Sequence, residues 1–225
     1  MQISLFVRGM RDILPVAAAG IVDGLVFGIL ARQAGIGLME TMLFSLLINA
    51  GSAQFAAVGL VSQGIVGWPM LVSTLFLNAR QLLYGLGLGP SFRDTAPWKL
   101  TLASAFLNDE TYAQKTTYLL QGNTPSLAYF FGASFTDYLI WNGSTLLGAV
   151  FGTLIPEPEA YGLDFAFLAT FVGFLAINLL SKLHVKVALA AGVVASLGYW
   201  WNGITAAVIT GTVTAMAIGV MTDER

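Results

Sequence analysis

Any chemistry in this chain has to come from a few polar residues set in apolar sequence. They are Asp23, the stretch Asn49-Ala-Gly51-Ser52-Ala-Gln54, Asn78 with Arg80 and Tyr84, Asn108-Asp109-Glu110, and Asp137 with Asn142. A buried cation, several carboxylates and opened backbone suit a zwitterionic ligand. Its carboxylate would sit on Arg80, whose guanidinium forks onto two oxygens as an ammonium cannot, or at the N-terminus of a broken helix. Its ammonium would lie near an Asp. The substrate-binding candidates are therefore Asn49, Gly51, Ser52, Gln54, Asn78, Arg80 and Tyr84. Asp23, Asp109, Glu110 and Asp137 are the candidates for ion coupling, because a proton-coupled carrier needs a carboxylate that gains and loses a proton in each cycle. Structural alternatives stand beside each. Asn49 and Gln54 could bond across a tight helix contact, Asp23 could be satisfied inside a bundle, and Arg80 could snorkel to an interface.

Other chemistries find no residues. There is no cysteine, so no thiolate nucleophile and no sulfur metal site. The single histidine, His184, lies between Lys182 and Lys186 and reads as an interfacial residue. No nucleophile elbow, metal-ligand cluster, Walker loop or dinucleotide fingerprint is present. We expect neither an enzyme nor a bound cofactor or metal, and no ATP-driven transport by this chain alone. With no basic patch, nucleic acid is not an expected partner.

The elements that must position these residues are membrane helices. Of 225 residues 56% are hydrophobic and only 10% charged, with mean hydropathy +0.77, against about 25% charged in a soluble domain. The expected fold is all-α, a single polytopic transmembrane domain over residues 1–225 with about seven or eight spans, some of them interrupted. The first span runs from about Ile13 to Leu30, with Pro15 in its first turn and Gly20, Gly24 and Gly28 forming one flat packing face. Asp23 lies beside that face, near mid-membrane, where an ionisable group is costly and functional by default. No charged residue occurs from Thr41 to Ala79. Within that run the second span, Leu38 to Val61, carries small and polar residues where lipid would want Leu or Ile, the mark of a helix opened at its middle.

The third span, Trp68 to Gly89, places Arg80 about 18 Å from Trp68 at 1.5 Å per residue, still within the hydrocarbon. It is expected to face inward and pair with a carboxylate of the substrate, of Asp23 or of Asp137. Leu100–Leu120 is helical in length but too polar for a lipid-exposed span, and could lie at the interface or cross shielded by neighbours. Leu127–Ile155 and Phe165–Ser181 follow. A last pair, Val187–Trp201 and Ile204–Met221, meets at an aromatic belt and an Asn202-Gly203 turn. Arg8 and Arg11 mark a cytoplasmic N-terminus, and the acidic Pro156–Asp164 connection an external loop. The N-terminus lacks a cleavable signal pattern. Gly20-x-x-Asp23…Phe27-Gly28 and Gly132…Asp137…Trp141-Asn142-Gly143 suggest an internal repeat, parallel if eight spans are present and inverted if seven.

Four motifs in order carry a family resemblance: Gly24-x-x-Phe27-Gly28, Ala50-Gly51-Ser52-Ala53-Gln54-Phe55, Asn78-x-Arg80-x-x-Leu83-Tyr84 and Asp109-Glu110-Thr111-Tyr112. Together they resemble the AzlC family, the large subunits of branched-chain amino acid exporters. Asn108 departs from the pattern, which has Thr before the Asp-Glu pair, but keeps a side chain able to hydrogen-bond. The resemblance implies export, from the cytoplasm, of hydrophobic amino acids such as valine, leucine and isoleucine, and the buried carboxylates make proton coupling the expected drive. It also implies a cell-membrane location and a second, small membrane subunit of the AzlD type. The alternative reading from the residues alone is a channel or facilitator for a small solute.

Overall fold

A computed structural model of the chain describes residues 2–154 and 181–222, with 165, 172, 173, 175, 176 and 179 between them. Among these residues every regular element is helical. In chain order they are α1 (Gln2–Gln33), α2 (Leu38–Ile48), α3 (Gly51–Ser62), α4 (Trp68–Asn78), α5 (Arg80–Leu88), α6 (Pro97–Ser104), α7 (Asp109–Leu120), α8 (Leu127–Phe151) and α9 (Lys182–Met221), with short 3₁₀ turns after α5 and α8.

The spine of the fold is α1 lying against α8. Their contact is glycine on backbone. A methyl group added at Gly28 would run into the carbonyl oxygen of Thr145, one at Gly148 into that of Leu25, one at Gly9 into that of Tyr129 and one at Gly132 into that of Phe6. Because Phe6 meets Gly132, Leu25 meets Gly148 and Ile29 meets Gly152, the two helices run parallel. The helices carrying the two repeat motifs thus share a direction. The packing face differs from expectation in one member: Gly24 and Gly28 lie on it, whereas Gly20 faces open space. Pro15 also lies in the helix interior rather than the first turn, since α1 starts at Gln2.

The three segments between α1 and α8 are all interrupted. The chain turns at Asn49, whose φ of 44° makes it the one described non-glycine residue in the left-handed region, a conformation Asn tolerates better than most residues. Ala50 is extended, and α3 then starts. The rings of Phe44 and Phe55, on either side of this turn, both pack on Phe27 of α1. Ser45 of α2 meets Thr145 of α8, and Leu46 meets the earlier Tyr138, so α2 runs antiparallel to α8. The pair α2–α3 is thus a hairpin entering from the C-terminal end of α1 and turning back near Trp141, which lies against Gly51.

A second hairpin, α6–α7, enters from the opposite end. Along α7, Asn108 meets Asp137, Lys115 meets Ser134, and Tyr118 stacks on Tyr129, so this arm also runs antiparallel to α8. The Phe106 ring near its tip packs on Phe135 and Tyr138. Between the hairpins, α4 and α5 connect the two ends with only a tightened turn at Ala79, whose N–H bonds to Phe76.

By length and composition, two described helices suffice to cross a bilayer, Ile3–Gln33 and Lys182–Gly203; Leu38–Ile48, Gly51–Ser62 and Ile209–Gly219 are shorter apolar helices. The expected spans Leu38–Val61, Trp68–Gly89 and Leu100–Leu120 are each split in two. The Asn202-Gly203 turn is present: Gly203 has φ 72°, and α9 doubles back there so that Gly198 packs on Ala206 and Gly211 on Ala195. The Pro156–Asp164 connection and most of Phe165–Ser181 lie outside the described residues.

Candidate functional site

The two hairpin tips meet halfway along the spine, at the level of Arg80. Its Nη2 donates to Ser52 Oγ at 2.5 Å and pairs with Asp109 Oδ2 at 2.8 Å. Ser52 is in the first turn of α3 and Asp109 in the first turn of α7. One guanidinium therefore bridges the starts of two half-helices that arrive from opposite ends. Tyr84, one turn along α5 from Arg80, donates to the other oxygen, Asp109 Oδ1, at 2.6 Å, and its ring stacks on Tyr112 with centroids 4.3 Å apart. The partner of Arg80 is thus Asp109, neither Asp23 nor Asp137.

Each tip is shaped by its sequence. At the first, Gly51 keeps the turn slim against the Trp141 ring. Gln54 is fully buried and donates to the Phe44 carbonyl at 3.4 Å across the hairpin, its Oε1 having no partner among the described residues. Both amide atoms of Asn49, Asn78 Oδ1, Arg80 Nε, Trp141 Nε1 and Asn142 Oδ1 are likewise buried without a described partner. So many orphaned polar atoms at one level are unusual in a packed interior. At the second tip Asn108 closes a capping box. Its Oδ1 accepts from the Thr111 N–H at 3.0 Å, and the Thr111 hydroxyl lies 3.0 Å from the Asn108 N–H. Asn108 Nδ2, left free by the cap, donates to Asp137 Oδ2 at 2.7 Å. The departure from Thr at this position thus links α7 to α8.

The sequence candidates divide. Asn49, Gly51, Ser52, Gln54, Asn78, Arg80, Tyr84 and Asp109 gather at or beside the junction, with Glu110 within electrostatic reach of Arg80, Asp109 and Asp137. Asp23 does not join them. It is level with Trp141, since its neighbour Gly24 packs on the Trp141 carbonyl and Ser144. It makes no hydrogen bond or ion pair with a described residue. Lys115 was not a candidate, yet it is among the largest fully buried side chains. The signal was available: Asn108, Thr111, Lys115 and Tyr118 recur at intervals of three and four, and all four are buried, so α7 buries a polar stripe.

A cavity of about 600 Å³ opens beside the junction between α4–α5 and the α6 tip, lined mainly by apolar atoms from Phe76, Leu82 and Leu107, with Asn78 and Gln81 as polar contributors. Among the described residues no group of three or more His, Asp or Glu could hold a metal ion.

A family model described as AzlC protein matches residues 15–155. Over 215 residues the chain is 33% identical to an uncharacterized membrane protein of Archaeoglobus fulgidus, covering 92% of this chain and 93% of that protein. It is 30% identical over 218 residues to the inner membrane protein YgaZ of Escherichia coli, covering 92% of this chain and 86% of that one. It is 27% identical over 159 residues to the branched-chain amino acid transport protein AzlC of Bacillus subtilis, 71% of this chain and 62% of that one. No solved structure matches.

Proposed function

Because the chain belongs to the AzlC family, we propose that it is a secondary-transport subunit that exports branched-chain or related hydrophobic amino acids across the cell membrane, coupled to protons and working with a small membrane subunit of the AzlD type. Transport of branched-chain amino acids comes from the name of the Bacillus subtilis relative. The observation that carries the reading to residues is Arg80, held between the first turns of two half-helices that enter from opposite ends.

In this reading Asp109 occupies the place of the substrate's carboxylate. A free amino acid entering the junction exchanges its carboxylate for Asp109 on the Arg80 guanidinium and gains the N–H dipoles at the starts of α3 and α7. Ser52, Asn49, Gln54 and Tyr84 supply neutral hydrogen bonds, and the orphaned amide atoms at the first tip gain partners. The adjoining cavity takes the aliphatic side chain, its lining being apolar and its volume in the usual range for small-molecule sites. The displaced Asp109 carboxylate then takes the substrate's ammonium, so all four charges stay paired and entry needs no uncompensated ion in the hydrocarbon.

The test is valine retention in cells lacking their own exporters and loaded with a valine-containing dipeptide. We expect faster valine loss only when this chain and its small partner are both present. No acceleration in any combination, with both proteins inserted, would refute the reading.

A further inference from the structure

The sharpest feature the junction does not use is a buried ammonium. Lys115 is 1% exposed. Its Nζ donates to Ser134 Oγ at 2.5 Å and lies 5.3 Å from the centre of the Phe130 ring. Among the described residues no carboxylate comes within ion-pair distance of it. The carboxylate whose charge acts on it is Asp137, three residues after Ser134 and on the same face of α8. Asp137 is itself 5% exposed, and its one described hydrogen bond is the 2.7 Å contact from Asn108. Two opposite charges buried close together without touching recover only part of their desolvation cost. Moving one proton from the Lys115 ammonium to the Asp137 carboxylate gives a neutral amine and a neutral acid, and removes that cost while conserving every atom and charge. Burial thus narrows the gap between the charged and neutral forms of the pair, as a proton carrier requires.

The charged surroundings favour this role. From α7 itself Glu110 and Asp109 face Asp137 and Arg80, and from α5 come Arg80 and Tyr84. Towards the N-terminal end of α1, Gln114 of α7 donates to Tyr129 of α8, Tyr129 to Asp12 of α1, and Asp12 pairs with the half-exposed Arg8. Polar contacts thus extend from the surface to the level of Lys115. Beyond it the chain supplies a direct tie to the junction. Asn108 holds Asp137, and Asp109, the next residue, holds Arg80.

We propose that Lys115 and Asp137 share one transported proton, and that release of Asp109 from Arg80 shifts the first turn of α7 and so moves Asn108 on Asp137, switching the proton between them. This rests on the transport reading above.

The test uses proteoliposomes containing this chain and its small partner, measuring two fluxes: valine counterflow, which needs no net proton movement, and valine-driven proton flux followed with an entrapped pH dye. Lys115→Arg keeps a cation that does not release its proton, and Lys115→Met keeps the length without charge. We expect counterflow within about threefold of wild type and loss of proton flux in both variants. Proton flux at the wild-type ratio to valine in either variant overturns the proposal. Loss of both fluxes in both variants also overturns it, in favour of a purely structural Lys115. Absence of counterflow in the wild type refutes the transport reading itself, and this inference with it.

Discussion

Arg80→Lys isolates the geometry of the junction from its charge. In the native site a single Nη2 spans Ser52 Oγ at 2.5 Å and Asp109 Oδ2 at 2.8 Å. A lysine ammonium stops about one bond short of that nitrogen, so it cannot keep both contacts without displacing a hairpin tip. One hydrogen bond to a charged group is lost, worth about 1.5–3 kcal/mol. The side chains of Arg80 and Asp109 are 32% and 37% exposed, which discounts the figure towards its lower end, about 1.5–2 kcal/mol. At 1.4 kcal/mol per factor of ten this predicts a roughly ten- to thirtyfold slower export. The assay is the initial rate of valine loss from dipeptide-loaded cells, normalised to the amount of inserted protein. Arg80→Ala, which removes the cation as well, is expected to fall further. Export by inserted Arg80→Lys within about twofold of wild type would refute the role given to the guanidinium.

Other perturbations separate scaffold from site. Gly148→Leu forces a side chain into the Leu25 backbone and should cost at least about 1–3 kcal/mol, seen as a lower melting temperature in detergent. Gly20→Ala, facing open space, should leave the melting temperature unchanged or raise it. Asn108→Ala removes the cap of α7, about 1 kcal/mol, and the only described hydrogen bond to Asp137, about a further 1–3 kcal/mol. Asn108→Thr should recover the capping share of that loss in the same melting experiment. Asp137→Asn should flatten the dependence of export on external pH, whereas Asp23→Asn, which loses no described partner, should leave its shape intact; the reverse pattern would return proton coupling to α1.

The positions where the chain breaks were legible because breaks need special residues. Asn49 accepts a left-handed backbone, Gly51 lets Trp141 approach, and Asn202-Gly203 makes the late turn. Direction was not legible. Periodicity reads a helix the same way whether the chain continues through a break or doubles back, and Leu38–Val61 therefore read as one span instead of a hairpin. The same ambiguity hid the partner of Arg80. Asp109 lies 29 residues away by number, and only the entry of α6–α7 from the opposite end brings its first turn to Ser52. Lys115 was missed for a related reason: a polar helix suggested contact with water or an interface, and only its contact with α8 turns that polarity inward. Gly20 failed as a packing residue because a one-face pattern on α1 does not say which part of the face α8 covers.

The seam between α1 and α8 bears on motion as much as on stability. Where glycine meets main-chain carbonyls there are no rotamers to exchange, and a small displacement meets immediate repulsion. The spine is therefore a stator. Conformational change during a transport cycle has to be carried by the hairpins, whose arms are 8 to 12 residues long. In hydrogen–deuterium exchange at equal depth in the bilayer, amides of α1 and α8 along the seam should be the last to exchange, and those around Asn49 and Asn108 among the first. Substrate that bridges the two tips should slow the tip amides and leave the seam unchanged.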